Sequence, residues 1–216
     1  MVCAKRICVY AFCFGVSIFS SQGNAAFAKD GKEGKSLEST APSATTDNNY
    51  HATDFAWSDS RKLTWEDFRG AVNAQSDESA AATHCGIGFK TNIAEGNKPG
   101  IFVYNTFYVN KSWVRPDAKI SGILDHEQGH FDLCEIYTRK LRERMNSFNF
   151  NTPDVKQALL SIYSEVNSEY ERRQQAYEEE TTHGTNIPQQ KKWQASITRE
   201  LTSATNYYVQ AGPMSR

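Results

Sequence analysis

Two histidines four residues apart, with a glutamate after the first, constrain this chain more than any other stretch: His126-Glu127-Gln128-Gly129-His130. At about 100° per residue a helix sets positions 126 and 130 roughly 40° apart on one face, so both imidazoles reach one ion. Glu127 falls beside them, where a carboxylate can take a proton from a metal-bound water. On a helix, this H-E-x-x-H spacing is the arrangement used in zinc hydrolysis. Ile120, Ile123, Leu124, Phe131, Cys134, Tyr137, Leu141 and Met145 recur at steps of three and four, which predicts an amphipathic helix over about Asp117 to Phe148. Gly129 is the odd residue in it. Glycine inside a helix costs about 1 kcal/mol against alanine, so another backbone or a ligand is expected close by.

The remaining chain bounds what surrounds this helix. With 216 residues, 39% hydrophobic and 12% aromatic, there is room for one domain with a real core. Residues 1–28 read as a secretory signal: Lys5 and Arg6, an apolar run from Ile7 to Phe19, and the small-x-small site Ala26-Phe27-Ala28. That run is too short to span a bilayer, which needs about 20 residues, and no later stretch qualifies. Export to the periplasm or the medium is expected. Removing the segment takes two basic residues from 24 and none from the 25 acidic ones, leaving a net charge of −3 and nothing that favours nucleic acid. Of five cysteines only Cys85 and Cys134 then remain, and in an oxidising compartment a single disulfide is the default expectation. Cys134 as a soft metal ligand is the minor alternative.

Residues 29–54 are rich in Gly, Ser, Thr, Lys, Glu and Asn and read as a disordered leader, with His51 at its edge; the folded domain is expected over 55–212. A first short strand is expected between Trp57 and Leu63. Thr64 to Gly70 reads as a short helix capped by Thr64 and stopped by Gly70, with Trp65 and Phe68 anchoring it. Cys85, Ile87, Phe89, Thr91 and Ile93 alternate with Gly86, Gly88, Lys90 and Asn92, which predicts a strand. A turn over 94–100 and a second strand over Ile101 to Val109 complete an antiparallel hairpin. The basic run Arg139, Lys140, Arg142 and Arg144 reads as solvated surface near a helix end. Thr152 and Pro153 open a second long helix whose stripe is Val155, Leu159, Ile162, Val166, Tyr170 and Tyr177. A third helix opens at Ile187-Pro188 with Trp193, Ile197, Leu201 and Tyr208. The expected fold class is α+β, zincin-like: a small antiparallel sheet packed on two long helices plus a C-terminal helix.

A catalytic zinc holds three protein ligands and leaves a position for water, so His126 and His130 need a partner. Among the five histidines, His51 falls in the leader and His84 starts a strand. His183 follows a helix that must run back along the first, so it can return to the ion; a helix-capping histidine beside Gly184 is the plainer reading of it. The rivals are carboxylates. Measured from Val155, Glu169 and Glu180 stand at about −40° and −20°, near the apolar stripe, and Glu169 can be a ligand or one half of a surface ion pair. Leu133 and Ile136 occupy the places where a metzincin carries glycine and histidine, which excludes that class.

The run from Ile123 to Tyr137, with Arg139-Lys140-Leu141 after it, resembles a bacterial domain family of unknown function whose members are described as predicted secreted zinc-dependent proteases. Leu63 to Gly70, and Tyr177 to Gly184 followed by Gln190 and Trp193, resemble the same family. The resemblance covers about Phe55 to Tyr208 and implies a zincin-like fold and protease activity. Carried over onto Thr181 to Gly184, it puts His183 first as third ligand.

The expected mechanism follows: zinc held by His126, His130 and His183 lowers the pKa of its water to about 7, Glu127 takes the proton, and a peptide carbonyl is attacked. Glu127 returns the proton to the leaving nitrogen. Tyr170, Tyr177, Tyr207 and Tyr208 are candidate donors to the oxyanion. Two other functions remain in play: an exported, metal-stabilised binding module, and a zinc hydrolase acting on a non-peptide amide.

Overall fold

The computed structural model describes residues 53–72, 79–92 and 100–203. The signal, the leader up to residue 52, His51, Ile93, the turn over 94–99, Tyr207 and Tyr208 lie outside those residues. The described chain is α+β: four strands in two small antiparallel pairs, packed on three helices. Strand β2 (Cys85–Asn92) pairs with β3 (Gly100–Phe107), Cys85 opposite Phe107 and Asn92 opposite Gly100. The alternation read from the sequence is the reason: Ile87, Phe89, Val103 and Phe107 all turn to the core. Strand β1 (Ala81–Ala82) pairs with β4 (Trp113–Val114). The strand expected between Trp57 and Leu63 is reduced to isolated bridges, Phe55 with Phe107 and Ser58 with Arg61.

Helix α1 (Ser121–Asn146) carries the histidine motif. It starts later than the periodicity implied, because Pro116–Ala118 forms a separate 3-10 turn and Ile120 is extended at the N-cap position. Ile120, counted in the apolar stripe, is thus 59% exposed. Helix α2 (Val155–Thr181) is capped by Asp154, whose carboxylate accepts from the Gln157 N–H, and not by Thr152. Helix α3 (Ile187–Ser203) lies against both. No helix among the described residues is long and apolar enough to cross a membrane.

The main core joins the inner sheet face to Phe131, Cys134, Leu141 and Met145 of α1 and to Leu159, Val166 and Tyr170 of α2. A second cluster, Leu133, Tyr177, Trp193 and Ile197, knits the three helices together beside the histidine motif. A buried polar strip runs along α1 as well. Arg139, expected on the surface, is buried in an ion pair with Glu135 at 2.7 Å, and Glu135 also accepts from Asn105 at 2.5 Å. Asp132 accepts from the Trp57 indole N–H at 2.6 Å and Gln128 accepts from the Leu63 N–H, which ties the segment before the sheet to this helix. The Thr64 cap is present as a capping box closed by Asp67. Gly70 serves packing more than helix termination, since a Cβ there would lie 2.7 Å from the Lys111 carbonyl oxygen.

Cys85 and Cys134, expected to be bridged, are both thiols and lie side by side. Cys85 Sγ is also 3.4 Å from the Tyr170 hydroxyl. Cys134 is a core residue and takes no part in the histidine cluster.

Candidate metal centre

Because α2 runs antiparallel to α1, its last turns come back opposite residues 126–130. The buried face of α2 widens toward its end, where fully buried Tyr177 still stands at about 40° from Val155. Leu159 and Val166 stand at about 40° and 20° from Val155, but the buried Gln174 and Thr181 stand at about 100° and 80°. Glu178, at about 140°, therefore borders the buried face near the helix end. Glu169 and Glu180 fall on the other side: Glu169 pairs with Lys140 at the surface, and exposed Glu180 accepts from the Trp193 indole.

His126 Nε2 and His130 Nε2 are 3.1 Å apart, and Oε2 of Glu178 is 2.9 Å from the first and 3.1 Å from the second. These are the three residues that form a metal-competent cluster among the described residues. The structure brings His126, Glu127 and His130 together as expected and adds Glu178, which the sequence reading passed over. His183 stands outside this cluster. Its Nδ1 meets the other carboxylate oxygen, Oε1 of Glu178, at 2.5 Å.

Each imidazole is held from behind by a glutamine. Gln174 donates from Nε2 to the His130 carbonyl and to the Tyr170 hydroxyl, which turns its Oε1 to His130 Nδ1 at 2.6 Å. Gln190 donates to the Tyr177 hydroxyl, so its Oε1 faces His126 Nδ1 at 3.1 Å. Both Nδ1 atoms thus donate to a glutamine oxygen, which leaves both Nε2 atoms facing the carboxylate. Tyr177 lies beneath the pair, stacked on His126 with centroids 4.7 Å apart and edge-on to His130 at 4.9 Å. Its hydroxyl donates to the His126 carbonyl at 3.0 Å. Burial pushes its phenol well up, so it keeps that proton. The neighbour that Gly129 implied is therefore a side chain, since a Cβ at 129 would sit 2.2 Å from the Tyr177 hydroxyl. The hydroxyls of Tyr170 and Tyr177, two of the expected oxyanion donors, are engaged in these networks.

The electrostatics suit a site for a cation. Burial would raise the Glu178 carboxyl, but hydrogen bonds to His126, His130 and His183 hold it far below the usual carboxylate range. Burial would lower His130, yet its hydrogen bond to Glu178 and the charges of Glu178 and Glu127 raise it to about 9. Three acceptors that converge within about 3 Å repel one another unless a proton or a metal lies between them. A tetrahedral zinc with bonds of about 2.1 Å spaces its donors roughly 3.4 Å apart, so separations of 2.9 to 3.1 Å need to open by only a few tenths of an ångström. Next to this group, Glu127 is 3% exposed and its Oε2 has no hydrogen-bond partner. A buried carboxylate oxygen left unpaired costs stability and marks a place where a ligand belongs.

The turn after α2 is strained. Thr182, His183 and Gly184 all have positive φ, at 50°, 54° and 78°. For the two non-glycine residues the left-handed region costs about 1–2 kcal/mol each. Gly184 is required twice over: by its φ, and because a Cβ there would lie 2.8 Å from the Cβ of His126.

Residues 106–184 match the model of a family described as a bacterial protein of unknown function, DUF922. The matched span contains His126, Glu127, His130, Glu178 and His183, and it ends before α3 and Gln190. No curated protein and no solved structure matches the chain.

Proposed function

We propose that the protein is a zincin-like, zinc-dependent peptidase, exported by its first 28 residues. The observation that carries this reading is the convergence of His126 Nε2, His130 Nε2 and Glu178 Oε2 beside the buried, partnerless Oε2 of Glu127. His126, His130 and Glu178 would hold the ion; once bound, a zinc supplies Lewis acidity, lowering the pKa of water to about 7 and polarising a carbonyl oxygen. The protein does the rest. Gln174 and Gln190 fix the two rings in the tautomer that presents Nε2. Glu127 accepts a proton from the attacking water at Oε2 and delivers it to the nitrogen that leaves, so one water is added across one C–N bond. The group also favours catalysis over a purely structural site: a structural zinc is closed by four protein ligands, and this cluster counts three among the described residues.

Replacing Glu127 with Gln tests the assignment. Zinc content unchanged and cleavage of a mixed peptide library lost is the expected result. Cleavage at the wild-type rate would remove Glu127 from the mechanism. A parallel screen on simple N-acyl amides separates a peptidase from an amidase, because only a peptidase needs residues on both sides of the bond.

A further inference from the structure

We infer that His183 is a positioning residue that holds Glu178 to the metal through a single oxygen. This rests on the metal reading above and goes beyond it by giving the strained turn a task. Glu178 sits in the last turn of α2 with its side chain 22% exposed, and both of its carboxylate oxygens are held by imidazoles. Its Oε2 faces the two histidines, and its Oε1 is taken by His183 Nδ1 at 2.5 Å. An oxygen that accepts from the His183 imidazole is drawn to that side, which opposes closure of the carboxylate on the metal with both oxygens. The coordination position saved in this way is the one a water needs. His183 reaches Glu178 only because the chain turns back sharply through residues 182–184, all with positive φ. Backbone strain of this kind persists at sites where the geometry it holds is used.

The test uses cobalt(II) in place of zinc, on the full mature chain, with affinity from chelator competition and coordination from the visible absorption of the metal. Asn and Gly both accept a left-handed backbone at least as readily as histidine, so neither replacement strains the turn. His183→Asn puts an amide N–H where Nδ1 stood. It is expected to match wild type in spectrum and to bind within about threefold. His183→Gly removes the donor and is expected to bind cobalt about 10–100-fold more weakly, with the weaker absorption of a five-coordinate ion. An Asn variant impaired as badly as the Gly variant would overturn the inference, since the imidazole would then itself be a ligand. A Gly variant identical to wild type would overturn it in the other direction. Wild-type protein that takes up no cobalt would sink the metal site itself, and this inference with it.

Discussion

Gly129→Ala sets two effects of opposite sign against each other. Helix propensity favours alanine by about 1 kcal/mol in the middle of α1. The new methyl would lie 2.2 Å from the Tyr177 hydroxyl oxygen and 2.7 Å from its ring carbon, where ordinary contact begins at 3.4 Å, so the hydroxyl end must retreat by about 1.2 Å. Tyr177 has little room to do so: it is fully buried, wedged against both histidine rings and Trp193, and bonded to the His126 carbonyl and to Gln190. Overpacking of this kind costs about 1–3 kcal/mol, and disrupting the hydroxyl's bonds about 1–3 kcal/mol more. Against the propensity gain, the net expectation is a loss of about 1–5 kcal/mol, read from urea unfolding of the metal-free protein. In a Tyr177→Phe background the closest atom is gone, and the added cost of the alanine should shrink by about 1 kcal/mol or more. An alanine variant about 1 kcal/mol more stable than wild type would show that propensity alone governs position 129, and would refute the packing argument.

Two further outcomes follow from the same geometry. Gln174→Leu keeps the volume but removes the acceptor behind His130 Nδ1; zinc affinity should fall about 10–100-fold in competition titration, and an unchanged affinity would contradict a tautomer-fixing role. Metal uptake should release a proton: His130 in the metal-free protein stays protonated up to about pH 9, and zinc needs its lone pair. Apparent affinity should therefore rise about tenfold per pH unit below that value and flatten above it, and calorimetry in buffers of different ionisation enthalpy should count about one proton released. A pH-independent affinity between 6 and 8 would contradict the shift.

The hairpin and the three helices were legible because their signals are local. Alternation wrote β2 and β3, and steps of three and four wrote the core faces of α1, α2 and α3. Helix starts were read less well, since Pro116 begins a 3-10 turn and Asp154 outcompetes Thr152 as a cap. Two thirds of the cluster was visible in His126 and His130, which share one helix turn. Glu178 was not, because a straight projection from Val155 places it off the stripe, and only the widening of the buried face to include Gln174 and Thr181 brings it to the border. His183 was noticed for its chemistry, but sequence could not show that the turn sets it behind the carboxylate. Arg139 was misread as surface, since its partners Glu135 and the Leu201 carbonyl are supplied partly by a distant helix.

Zinc-edge anomalous scattering from crystals of the zinc-loaded protein asks the central question directly. One peak bonded by Nε2 of His126, Nε2 of His130 and a single oxygen of Glu178, with one position left to solvent, is the predicted result. A crystal soaked to saturation that shows no peak there, or a peak held by His183 with Glu178 turned away, would contradict the account.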